Sequence, residues 1–297
     1  MPFHPVVEEC PYCHRLALYE DEPGCRACNT PLASRAPNVH FSERFRSALE
    51  DRYREARTEA EKNGASDSLA GLEAAASRSM AVANVDVGTA CDIFSQPKYL
   101  YTSYGKLVEA GVRAPAAPEH DRHRTTVDGL LYGSYGKDIA FAALSIDGRG
   151  LTSYGSVHLE LDEATIDFRA TVLEDNSFHF VRRYRLVAGD PLPDGFLAPW
   201  RLRAWLAVAK LASKLRPDMT EDDFCKLLLE SNGNRDTDVF LEVHVYGTFN
   251  FQAVRRVKLG ALDTSSDLGE EAREVQRVRL RWLRSQLNHL SVEWSEA

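Results

Sequence analysis

Val-Phe-Leu-Glu-Val-His-Val-Tyr, residues 239–246, alternates aliphatic residues with aromatic or polar ones. Side chains along a strand point to opposite faces in turn, so Phe240, Glu242, His244 and Tyr246 share one face. Val239, Leu241, Val243 and Val245 form the other, which must meet the core. Glu242 and His244 therefore project together, away from the aliphatic layer and flanked by two aromatic rings. Val157–Leu161 (V-H-L-E-L) alternates in the same way, and Ile139–Ile146 (I-A-F-A-A-L-S-I) reads as a third strand.

Around these strands the period changes to that of helices. Phe41, Phe45, Leu49 and Tyr53 recur at helical spacing across 41–63, and Gly64 ends the run. A Ser/Ala-rich helix follows at 66–77, then a strand at Met80–Val87 and a partly helical stretch at 88–111. Residues 168–173 and 178–187 read as strand or loop. Amphipathic helices are expected at 200–215 and 220–231, a short helix at 250–255, a strand at Arg256–Leu259, a long helix at 269–289 and a last strand around 291–294. Short strands at irregular intervals with helices between them give an α+β class.

The chain has 297 residues, 44% of them hydrophobic and 27% charged, which suits a folded core rather than a disordered chain. No run approaches the ~18 apolar residues of a membrane helix. The N-terminus M-P-F-H-P-V-V-E-E-C lacks a basic region followed by an apolar one, so the expected location is cytoplasmic, with no membrane partner. A net charge of −8 argues against non-specific coating of nucleic acid. Arg201, Arg203, Lys210, Lys214 and Arg216 in one helix, and Arg277, Arg279, Arg281 and Arg284 in another, read as solvated faces. No G-x-G-x-x-G follows a strand, and there is no Walker loop, G-x-S-x-G elbow or H-E-x-x-H.

The six cysteines fall into two classes. C-P-Y-C at 10–13 and C-R-A-C at 25–28 are separated by eleven residues. Four thiolates at this spacing complete a tetrahedral zinc site with no open position, which reads as structural. Cys10, Cys13, Cys25 and Cys28 are thus the expected zinc ligands of a small ribbon or knuckle spanning 1–32, a surface suited to nucleic acid or protein. Cys91 and Cys225 stand alone and read as core thiols.

The run E-V-H-V-Y-G-T-F-N-F-Q-A-V-R-R-V-K-L (242–259) resembles the last catalytic strand and turn of bacterial ADP-ribosyltransferase-like domains of the toxin and phage-defence type. F-A-A-L-S-I-D-G-R-G-L-T-S-Y-G (141–155), V-H-L-E-L and I-D-F-R-A-T-V-L-E-D-N-S (166–177) are similar to the middle of such domains, and S-M-A-V-A-N-V-D-V (79–87) to their first strand. The resemblance covers about 75–260 within a domain running from 41 to 297. It implies a split, mixed sheet with flanking helices that takes NAD as a substrate. It also implies that Glu242 is the catalytic carboxylate and that Asn84, Ser145, Tyr154, Arg169 and His244 contact NAD. Asn84 stands near where the family usually carries Arg or His, and Phe240 where many members carry Glu or Gln. The expected acceptor is nucleic acid or protein, and an antitoxin or other regulatory protein is an expected partner. A non-catalytic zinc-ribbon adaptor is the alternative.

Overall fold

The structure, a computed structural model, describes residues 36–103, 106, 126–261 and 269–297, together with the backbone of two short strands, β1 (Val7–Glu9) and β2 (Leu16–Leu18). Those two pair antiparallel, Val7 opposite Leu18 and Glu9 opposite Leu16. The four cysteines expected to bind zinc lie outside the described residues; in sequence, the first pair falls between β1 and β2.

The main body is one eight-stranded sheet in the order β12-β11-β5-β3-β4-β10-β6-β7. Its strands are β3 (Met80–Val85), β4 (Ile139–Ser145), β5 (Val157–Leu161), β6 (Ala170–Leu173), β7 (Leu197–Pro199), β10 (Glu242–Tyr246), β11 (Val254–Leu259) and β12 (Glu293–Glu296). All neighbours run antiparallel except β11 and β12, so the sheet is mixed. The α+β class is as expected.

One face carries Ala81, Ala83, Ala142, Leu144, Leu159, Val172, Val243, Val245 and Val257. Among the helices that cover it are Arg46–Lys62, Ser66–Ser77, Val87–Ser95, Arg203–Leu211, Glu221–Leu228 and Glu270–His289. Each presents an apolar stripe at helical spacing, such as Leu69, Leu72, Ala75 and Ala76 in the second and Leu280, Leu283 and Leu287 in the last. Burial of each such leucine stabilises the fold by about 2 kcal/mol.

Three sequence expectations change. The helix read across 41–63 is two helices, Pro37–Glu43 and Arg46–Lys62, because the chain turns at Arg44–Phe45 so that Phe45 can join a second apolar cluster on the opposite face. Residues 178–187 are not a strand or loop. Asn176 caps a helix, Ser177–Tyr184, by accepting from the Phe178 amide at 2.8 Å. The long alternator 239–246 is broken at Leu241. Its first two residues form β9 (Val239–Phe240), which pairs instead with β8 (Leu229–Glu230).

Candidate active site

The sheet's second face is lined at its centre by polar residues: Asn84 on β3, Ser145 on β4, His158 and Glu160 on β5, Thr171 on β6, and Glu242 and His244 on β10. It is not solvent-facing. Glu242 is 7% exposed and His244 fully buried, because Phe45, Val127, Leu131, Tyr132, Phe180 and Leu197 close over that side of the sheet.

Glu242 opens β10 between Ala143 of β4 and Leu173 of β6. Leu173 ends its strand, and three residues later the chain enters the helix capped by Asn176. That short path sets the first turn of the helix beside the carboxylate. The Ser177 amide donates to Glu242 Oε2 at 2.8 Å, and the Ser177 hydroxyl donates to the same oxygen. His244 Nε2 lies 3.1 Å from it. The positive end of the helix dipole adds to this hold.

The imidazole is itself fixed. Its Nδ1 hydrogen-bonds the Tyr132 hydroxyl, and its ring stands edge-on to Tyr132 and Phe141, with centroids 5.1 Å from each. Burial holds the Tyr132 phenol well above its usual range, so that hydroxyl remains a donor. The consistent assignment has Tyr132 donating to Nδ1 and Nε2–H donating to the carboxylate. Asn38 Nδ2 ties the backbone at this point, donating to the carbonyls of His244 (3.0 Å) and Arg169 (3.1 Å).

A layer of charge backs the turn that carries Ser177. Glu174 pairs with Arg52 at 2.7 Å, and Asp175 with Arg183 at 2.5 Å and Lys210 at 3.8 Å. Lys210 also donates to the Phe240 carbonyl at 3.2 Å, cross-linking the approaches to Ser177 and Glu242. Burial pulls this lysine down to about 8, against the opposing pull of Asp175 and Glu174. Neither Lys210 nor Arg203 lies on the solvated helix face expected of them: Lys210 is partly buried, and Arg203 is buried, donating to the Trp200 carbonyl and pairing with Glu163 at 3.1 Å.

The other NAD-contacting residues implied by the resemblance separate into two groups. Asn84, Ser145 and Tyr154 lie on the side of Glu242 toward β3 and β4. Asn84 accepts from the Leu151 amide at 2.8 Å and donates to the Gly155 carbonyl at 3.1 Å, clamping the turn that bears Tyr154. Gly155 has φ +153, and a side chain there would strike the Val85 backbone at 2.2 Å. Tyr154 packs on a small cluster of Leu151, Phe240 and Ala143, the last directly across from Glu242. Ser145 donates to Asp147 at 3.1 Å.

Over this side lies the 231–238 segment. Arg235 caps the Tyr154 ring at 4.7 Å and donates to the Ser153 carbonyl, while the Asp236 carbonyl meets His179 at 3.0 Å on the helix that begins with Ser177. Arg169 is elsewhere. It bonds the Tyr246 and Thr248 carbonyls, at the far end of β10 and roughly 13 Å from Glu242 along an extended strand. The structure does not bring it to the carboxylate.

Ser177, Tyr132 and Lys210 are the partners that sequence reading missed. For Ser177 a signal existed: Asn176 directly before F-H-F-V is a helix start, and a helix there points its first amides at whatever precedes it. Tyr132 and Lys210 carry no such mark. Next to this centre, His158 Nδ1 accepts from the Gly150 amide at 2.9 Å. Burial and the Lys258 charge pull the imidazole down to about 4.

Among the described residues no three His, Cys, Asp or Glu are grouped to hold a metal ion, and no helix is long and apolar enough to cross a membrane. No protein-family model matches the chain, and no curated protein matches it.

Proposed function

We propose that this chain is an NAD-dependent ADP-ribosyltransferase acting on a macromolecular acceptor, nucleic acid or protein, with Glu242 as the catalytic carboxylate. The observation that carries this reading is the hold on Glu242. A carboxylate at the start of a central strand is oriented by an amide, a hydroxyl and an imidazole that all meet one oxygen, beside an aromatic ring on a glycine-bounded turn. Preorganisation of this kind suits a group that must stabilise a developing cation without moving.

In the reaction, the bond between the ribose C1′ and the nicotinamide nitrogen breaks, and its electron pair leaves with the neutralised nicotinamide. The ribose carbon passes through an oxocarbenium-like state, as in glycoside hydrolysis. Glu242 faces that charge. The acceptor nucleophile forms the new bond to C1′ and gives up its proton. Tyr154 offers a ring on which the nicotinamide stacks, and the 231–238 segment must lift from Tyr154 to admit it. Cys10, Cys13, Cys25 and Cys28 holding zinc in an N-terminal ribbon would supply a second surface for the acceptor. A toxin or phage-defence effector, with an antitoxin or other regulatory partner, is the setting that fits such an activity.

A second reading is favoured by the burial of Glu242. A carboxylate 7% exposed with three donors on one oxygen is also a sound structural network, and the chain would then be a non-catalytic zinc-ribbon adaptor. Incubation of the full chain with NAD labelled in its adenylate, in cell extract, separates the two. The transferase reading expects label in nucleic acid or protein. Glu242→Gln, which keeps the volume and an acceptor oxygen, should reduce labelling at least ~100-fold with little change in melting temperature. Undiminished labelling by that folded variant removes Glu242 from the mechanism, and absence of labelling by the native chain supports the adaptor.

A further inference from the structure

At the end of β10 opposite Glu242, a groove of about 460 Å³ is lined by Leu100, Thr165, Phe168, Arg169, Thr248 and Asn250 among others, and among the described residues no carboxylate lines it. Its floor is a guanidinium in fixed orientation. Arg169 Nε donates to the Thr165 carbonyl at 2.8 Å, and one terminal nitrogen donates to the carbonyls of Tyr246 at 3.1 Å and Thr248 at 2.7 Å. Among the described residues the second terminal nitrogen meets no acceptor.

Two other half-buried or buried arginines differ. Arg203 has Glu163 at 3.1 Å and Arg52 has Glu174 at 2.7 Å. Among the described residues Arg169 hydrogen-bonds only carbonyls, and burial lowers its hold on its proton with no acidic neighbour opposing. A partly buried cation without a counter-charge is costly unless an anion completes it.

The rim of the groove is apolar and exposed. Leu100 and Phe168 are 56% and 51% exposed, and the Phe168 ring lies 5.9 Å from the Arg169 guanidinium. Half-exposed apolar side chains beside a guanidinium that meets no carboxylate among the described residues match a ligand with a flat apolar body and one anionic group. The volume falls within the ~300–1,000 Å³ of small-molecule sites.

We propose that this groove binds a small aromatic anion, a carboxylate or phosphate monoester carried on one or two rings. Its body lies against Phe168 and Leu100, and its anionic oxygens take the remaining N–H groups of Arg169. The site is separate from Glu242 and does not depend on the transferase reading.

The test uses the full chain, with 2-naphthoate and phenyl phosphate as probes and 2-naphthalenemethanol as the neutral control, followed by saturation-transfer NMR and titration calorimetry. At least one anion should bind with a Kd of about 1 mM or tighter, and the neutral control at least ~10-fold more weakly. Which anion binds identifies carboxylate or phosphate as the preferred group. Phe168→Asp and Leu100→Asp place a negative charge at the rim without touching the carbonyl clamp. Each should weaken the anion at least ~10-fold while leaving the melting temperature unchanged. Equal binding of anion and neutral control, no binding of either anion at about 10 mM, or unchanged anion binding in both variants overturns the proposal.

Discussion

Lowering the pH from about 8 to about 5 should cost this fold about 2 kcal/mol through one imidazole, that of His158. The side chain is 3% exposed on β5, its Nδ1 accepts the Gly150 amide, and Lys258 lies close enough to oppose a second positive charge. Burial, then Lys258, then Arg149 lower its affinity for a proton against the pull of Asp147, from the free value of 6.5 to about 4.

The sign follows from which state takes up the proton first. Above about pH 6.5 both states are neutral and the contribution is whole. As the pH falls, the unfolded chain binds the proton first, and stability is lost until the folded value near 4 is reached. At about pH 5 the unfolded imidazole is ~30-fold more protonated than neutral while the folded one stays mostly neutral, which gives about 2 kcal/mol; the loss levels off near 3 kcal/mol.

Urea unfolding of the native chain and of His158→Gln, followed by circular dichroism across this range, isolates the effect. Glutamine keeps an acceptor for the Gly150 amide and cannot titrate. The native chain should lose about 2 kcal/mol more than the variant on going to about pH 5. Parallel stability curves would show that His158 is protonated as readily in the fold as outside it, and the reasoning from burial would fail.

Two further outcomes are expected besides those tied to Glu242 and the Arg169 groove. Lys210, pulled from 10.5 to about 8, makes the fold gain stability as the pH rises from about 8 toward about 10.5; Lys210→Met should flatten that rise in the same unfolding assay, and an unchanged rise would mean Lys210 is not its source. The purified full chain should carry about one zinc per molecule by inductively coupled plasma mass spectrometry, and Cys13→Ser should lose most of it; a metal-free native chain would remove the four-thiolate assignment.

The two-residue period of 157–161 and 239–246 is a local property of the chain, and it was enough to set Glu242 and His244, and likewise His158 and Glu160, on the face away from the aliphatic layer. The helices at 66–77 and 269–289 were legible for the same reason, since an apolar stripe repeats within a few residues. What covers a face is not local. Glu242 meets Ser177 across 65 positions and His244 meets Tyr132 across 112, and nothing in the alternation distinguishes a polar face in water from one closed by Phe180 and Leu131.

The same limit explains the break at Leu241, where pairing of Phe240 with Leu229 overrides an unbroken pattern, and the placement of Arg169 at the far end of β10, where backbone carbonyls claim it. Strand order and burial come from contacts between distant segments. The order of residues determines which side chains share a face, and only the packed tertiary structure determines which neighbours a buried carboxylate or guanidinium receives.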